Sequence, residues 1–92
     1  MISALVLSLW QARQKFNIDD VVLNSSLLDY NFIGCSGVAE LKAFLSNNKL
    51  DVITIKTKGT VYDIDVKNIE GCTLLPDGIH INLKEGKNIW IK

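Results

Sequence analysis

Cysteine, histidine and an excess of either charge are what this chain of 92 residues has least of, and each scarcity removes a class of protein. Cys35 and Cys72 are too few for the disulfide framework that holds small secreted domains together. They predict two reduced thiols in a cytoplasmic protein. Ten Lys+Arg balance ten Asp+Glu. The balance holds in each half: three basic and four acidic residues in 1–46, seven and six in 47–92. Binding by phosphate neutralisation calls for a basic excess, and a mimic of nucleic acid calls for the opposite one. Nucleic acid is therefore not the expected partner.

Long apolar runs are missing too. The opening Met1 to Trp10 is apolar, yet far short of the roughly 20 residues that cross a bilayer. It has no basic start, and Gln11, Arg13, Gln14 and Lys15 follow it instead of a small-residue cleavage site. Neither a membrane association nor a signal peptide is expected. The glycosylation match at Asn24-Ser25-Ser26 is then without consequence. There is no C-x-x-C, H-x-x-x-H, phosphate-binding loop or dinucleotide glycine fingerprint, so no metal and no cofactor are expected. No internal repeat, low-complexity run or linker divides the chain.

What remains is ordinary globular composition, 48% hydrophobic and 22% charged, at a length suited to one domain over residues 1–92. Such a domain buries roughly 60–65% of the surface its unfolded chain exposes, which leaves little room for a deep pocket beside the core. Residues 1–48 read as the mainly helical half. Ile2, Leu5, Val6, Leu9 and Phe16 recur at near-helical spacing, and Leu7 and Trp10 widen the apolar face. Gly34-Cys35-Ser36-Gly37 introduces a second helix with the stripe Val38, Leu41, Phe44 and Leu45, ended by Asn47-Asn48. Between them, residues 18–34 have no clear pattern. Asp19-Asp20 suits a helix cap, whereas Asn24-Ser25-Ser26 and Asp29-Tyr30-Asn31 look like turns.

From Asp51 the period becomes two, which predicts strands near 51–57, 60–66, 71–75, 79–83 and 87–91. A two-residue turn at Lys58-Gly59 sets Ile55 against Tyr62 and Ile53 against Ile64. Three-residue loops at Pro76-Asp77-Gly78 and Lys84-Glu85-Gly86 set Leu75 against Ile79, Ile81 against Ile89 and Ile79 against Ile91, with Gly78 left-handed. A link over 67–70 sets Ile64 against Thr73 and Tyr62 against Leu75. The expected architecture is α+β: N-terminal helices packed on a C-terminal five-stranded antiparallel meander over 51–92.

Three readings of the chemistry follow. Cys35, just ahead of a helix, is placed for an activated thiol, and His80 is the only histidine available to pair with it. The plainer account is a glycine-rich turn in which Cys35 fills space, and no catalytic residue is assigned. Asp63 and Asp65 offer two carboxylates on one strand face, better suited to solvating it than to holding a metal. The meander's second face would carry a row of Thr54, Asp63, Leu74, His80 and Trp90, with Asn82 in the next row beside Val52, Asp65, Cys72 and Asn88. An aromatic anchor among adaptable polar neighbours is the composition of a protein-binding hot spot. Trp90 is instead core if the N-terminal segment or residues 18–34 cover that face.

The function expected is a small non-catalytic protein of inhibitor, immunity or adaptor type, or an accessory protein of a mobile element. It would act stoichiometrically on a protein partner through a sheet face, with a homodimer also compatible. The alternatives are a small nucleic-acid-binding β module and a thiol-dependent enzyme using Cys35.

Overall fold

A computed structural model describes residues 2–92. Among them the chain is α+β, with two α-helices and two antiparallel sheets: α1 (Ile2–Ala12), β1 (Ile18–Ser25), β2 (Asp29–Asn31), α2 (Val38–Asn47), β3 (Leu50–Thr57), β4 (Thr60–Asp65), β5 (Ile69–Leu75), β6 (Gly78–Leu83) and β7 (Asn88–Ile91). The four-stranded sheet has the order β2-β1-β3-β4 and the three-stranded sheet the order β5-β6-β7. No described helix is long and apolar enough to cross a membrane.

Helix α1 buries Leu5, Val6, Leu9, Trp10 and Ala12, the broad face that its apolar spacing requires. Its end is well defined. The Ile18 N–H reaches the Arg13 carbonyl at 3.0 Å, the Phe16 N–H reaches the Ala12 carbonyl at 3.0 Å, and Asn17 takes φ 55°. This is the left-handed helix stop in which Asn is the usual substitute for Gly. The Arg13 guanidinium lies 3.6 Å from the Trp10 ring centroid and donates to the Trp10 carbonyl. Trp10 meets Phe32 edge-on at 5.2 Å.

Residues 18–25 form a strand where the sequence suggested a capped helix or turns, and β1 sits second in its sheet, paired on both sides. Asp19 falls at a register shift, which breaks the alternation that would have marked the strand. Beyond it Val21 and Leu23 are fully buried. The Asp20 carboxylate, itself buried, accepts from the Val21 N–H at 2.9 Å, the Ile33 N–H at 3.3 Å and the Asn31 amide at 3.0 Å. A charge out of water needs such donors. Asp20 thereby pins β1 to β2, and Asp29–Asn31 is a strand rather than a turn.

The five-stranded meander is not the structure. The β3–β4 hairpin has the expected register, Ile53 opposite Ile64 and Ile55 opposite Tyr62, with Gly59 at φ 88° in its turn. After Asp65 a 3-10 turn, Val66–Asn68, redirects the chain so that β5 opens a second sheet. The pairings Ile64–Thr73 and Tyr62–Leu75 are therefore absent, and β1 pairs with the edge of β3 away from β4. The first half is accordingly less helical than expected, since β1 joins the sheet built by β3 and β4.

The β5–β6 turn is also one residue tighter than expected. Leu75 faces Gly78, and Leu74 faces Ile79. Gly78 is not left-handed; a Cβ there would lie 2.5 Å from the Ile91 carbonyl oxygen. Glycine is required by close approach of the end of β7 rather than by backbone conformation. The last hairpin matches expectation, with Ile81 opposite Ile89, Ile79 opposite Ile91, and Glu85 and Gly86 left-handed in the loop.

One core joins both sheets and both helices: Leu5, Val6, Leu9, Val21, Leu23, Leu41, Ile53, Ile55, Ile79 and Ile81 are all essentially inaccessible. Each such side chain contributes about 1.5–3 kcal/mol relative to an exposed one. Of the residues expected on the buried sheet face, Tyr62, Leu75 and Ile89 are half-buried, as is Leu45 of α2, and Val38 is exposed.

Candidate binding site

Paired residues share a face, so the registers define the outer surface of each sheet. On the four-stranded sheet the outer rows are Asn31–Val22–Thr54–Asp63 and Asp29–Asn24–Val52–Asp65. On the three-stranded sheet they are Thr73–His80–Trp90 and Gly71–Asn82–Asn88.

The row expected from the sequence is thus cut in two. Thr54 and Asp63 lie on the four-stranded sheet, His80, Trp90 and Asn82 on the three-stranded one. Leu74 is on the inner face with Ile79, because the tighter turn shifts β5 by one residue and reverses every side chain on it. Cys72 moves with it, opposite Ile81, and burial pushes its thiol pKa up. Thr73 takes the place beside His80. Sequence reasoning missed it for want of that one residue of register, and the Pro76-Asp77 pair was its only signal.

Thr54 and Asp63 have a structural job. The Asn24 amide donates to the Thr54 hydroxyl at 3.3 Å, and that hydroxyl donates to the Asp63 carboxylate at 2.7 Å. The chain of bonds ties β1, β3 and β4 together across the outer face. The strands of this sheet expose Asp19, Asp29, Asp51, Asp63 and Asp65 against Lys56 alone, so its surface is acidic although the whole chain is neutral.

The three-stranded sheet differs. His80 and Trp90 are cross-strand neighbours, both half-exposed, with ring centroids 5.2 Å apart and planes at 63°. This edge-to-face geometry suits the ring quadrupoles. The Leu83 N–H donates to the Lys87 carbonyl at 2.8 Å. Antiparallel alternation then makes His80–Trp90 a non-hydrogen-bonded pair, the kind that brings side chains closest. The same alternation turns the backbone N–H and C=O of Asn88 and Trp90 away from β6, toward the side where β7 has no further strand among the described residues. His80 Nε2 lies 3.1 Å from Asn88 Oδ1, and the Lys92 ammonium lies 5.6 Å from the Trp90 ring centroid. Thr73 and Asn88 are exposed, Asn82 half-buried.

The glycine-flanked cysteine lies in a second cluster. Cys35 is half-buried against the core, and its thiol donates to the Gly37 carbonyl at 3.2 Å. The Glu40 carboxylate accepts from the Ser36 N–H at 3.1 Å, from the Ser36 hydroxyl, and from the Tyr30 hydroxyl at 2.6 Å. These donors hold Glu40 below the usual carboxylate range. Tyr30 stacks on Phe44 at 4.8 Å. Its partial burial, then its contacts with Cys35 and Glu40, push the phenol pKa up. Cys35 and His80 therefore have different hydrogen-bond partners, Gly37 and Asn88. Among the described residues no three His, Cys, Asp or Glu side chains gather as a metal would require.

Compared with known proteins, the chain matches no family model, no curated sequence and no solved structure.

Proposed function

We propose that this chain is a non-catalytic accessory protein of inhibitor, immunity or adaptor type, which binds a protein partner stoichiometrically through the outer face and free edge of the β5-β6-β7 sheet. The observation that carries the reading is the half-exposed His80–Trp90 pair on an edge strand whose outward backbone groups are unpaired by β6. An aromatic anchor gives affinity when desolvated, and Asn82 and Thr73 supply adaptable hydrogen bonds around it, while Asn88 is held by His80 and the Gly86 carbonyl. A partner strand added along β7 would satisfy the Asn88 and Trp90 backbone, with Lys87 and Lys92 favouring acidic neighbours. The acidic four-stranded sheet argues against a nucleic-acid ligand. A cytoplasmic setting suits the two free thiols and belongs to the same reading.

The test compares Trp90→Ala with Thr54→Val in quantitative affinity capture from the native host, followed by calorimetry with the recovered protein. Trp90→Ala is expected to weaken binding by about 2 kcal/mol or more while costing the fold only about 1 kcal/mol, the worth of an exposed aromatic pair. Thr54→Val should leave binding unchanged. Equal recovery by the Trp90 variant, or self-association in light scattering abolished by the same change, replaces the partner by nothing or by a second copy. A steeply salt-dependent affinity for single-stranded oligonucleotide would install the nucleic-acid reading instead.

A further inference from the structure

We infer a small-ligand site for an amphipathic carboxylate in the groove between the end of α1 and the β5–β6 turn. The groove has a volume of about 370 Å³ and is lined by Gln11, Ala12, Lys15, Phe16, Leu74, Leu75 and Pro76. Ala12 and Phe16 are buried, whereas Leu74 leaves 48% of its surface in water although it shares a face with the inaccessible Ile79. A leucine on the inner face of a sheet, beside a helix end and still half-solvated, is the wall of an unfilled space.

The charge pattern selects the ligand. Lys15 is the one charged residue among those lining the groove, and its ammonium sits 5.2 Å from the Phe16 ring centroid, over the apolar floor. Arg13 is committed elsewhere, to the Trp10 ring and carbonyl. An apolar body against Phe16, Leu74, Leu75 and Pro76 with an anionic head at Lys15 matches each part of the wall. By contrast, the 390 Å³ depression lined by Lys49, Asp51, Asp65 and Lys67 balances its own charges and favours no ion.

Size decides between a small molecule and a macromolecule. Small-ligand sites occupy about 300–1,000 Å³, whereas a stable protein interface draws on about 20–30 residues a side. The groove's volume of about 370 Å³, walled by two short segments, falls in the first range. The site shares no residue with the His80–Trp90 surface and stands whether or not that surface binds a protein.

The experiment titrates the full chain with decanoate and, in parallel, with decanol, following backbone amides by NMR. Decanoate should perturb Gln11, Ala12, Lys15, Phe16, Leu74 and Leu75, and should bind several-fold more tightly than decanol. Lys15→Gln should erase that preference, a loss of about threefold to fivefold. Leu74→Ser should weaken both ligands by about tenfold, with circular dichroism checking that each variant keeps the fold. Perturbations centred elsewhere overturn the site. Equal affinity for the acid and the alcohol, or a preference surviving Lys15→Gln, overturns its ligand class. If Leu74→Ser fails to fold, the Lys15 variant and the perturbed amides decide alone.

Discussion

Ile53, Ile55 and Ile64 fill the inner face of the four-stranded sheet, and Ile79, Ile81 and Ile91 do the same for the three-stranded one, all at 2% exposure or less. Inside, the two sheets are interchangeable in kind: β-branched side chains on pleated surfaces meeting one shared core. Outside they part. The larger sheet spends its outer polar groups on itself, through Asn24, Thr54 and Asp63, and surrounds them with carboxylates. The smaller sheet leaves a Trp, a His and two Asn on its outer face, with an open strand beside them. A surface whose hydrogen bonds are already internal gains little from a partner. One that keeps aromatic area and backbone donors exposed gains from desolvating the ring and from hydrogen-bonding the donors.

The comparison breaks first on cooperativity. If both sheets close over one core, Ile53→Ala and Ile79→Ala should each cost about 2–5 kcal/mol and shift the same single transition in denaturant. Both residues are wholly inaccessible, one in each sheet. Near-ultraviolet and far-ultraviolet circular dichroism should give coincident curves for both variants. Two separated transitions, with Ile79→Ala moving only one, would show the smaller sheet to be an independent unit with no core shared between the sheets.

A smaller effect sharpens what holds β7 in place. Gly78→Ala should destabilise the protein by about 1–3 kcal/mol, because the new methyl meets the Ile91 carbonyl oxygen and the strand must shift. The displacement should appear as amide shift changes along Asn88–Ile91 and leave β3 and β4 untouched. A neutral Gly78→Ala would mean that β7 does not close over Gly78, and the edge that carries Trp90 would lose its fixed position.

How much of this was legible in the residues depends on whether alternation survived. β3, β4, β6 and β7 were readable because large apolar residues, Ile or in β4 Tyr62 and Ile64, recur every second position and the Lys58-Gly59 and Lys84-Glu85-Gly86 turns admit positive φ. The His80–Trp90 pairing followed from those registers alone. β1 was illegible: Asp19 at a register shift and Asp20 buried under three donors put carboxylates where a strand pattern wants alternation. The division into two sheets was illegible for another reason. Val66–Asn68 is an unremarkable triplet, and whether β5 pairs with β4 or starts anew is decided by long-range packing that no local pattern encodes. The glycine at 78 misled because the sequence shows that a glycine is needed but not whether φ or proximity needs it. That ambiguity moved Leu74 to the wrong face and concealed the groove beside Lys15.

The smallest expected effect lies where Glu40 closes the loop ahead of α2. Its carboxylate accepts from the Ser36 N–H, the Ser36 hydroxyl and the Tyr30 hydroxyl, donors that favour the charged form. The folded pKa therefore lies below the ordinary 4.5, and the contribution to stability is fully present above that value. It is lost as pH falls through the lowered pKa, because the protonated acid no longer offers two accepting oxygens. Glu40 is solvent-exposed, so the consequence is local rather than global. In an NMR titration the Glu40 side-chain carboxyl and the Ser36 amide should follow one curve with a midpoint below pH 4.5. Glu40→Gln should flatten the Ser36 response while leaving the β5-β6-β7 amides unmoved. A Ser36 transition that persists in the Gln variant would assign it to another group and free the loop from Glu40. Cys35 would then be held by the Gly37 carbonyl and by packing alone.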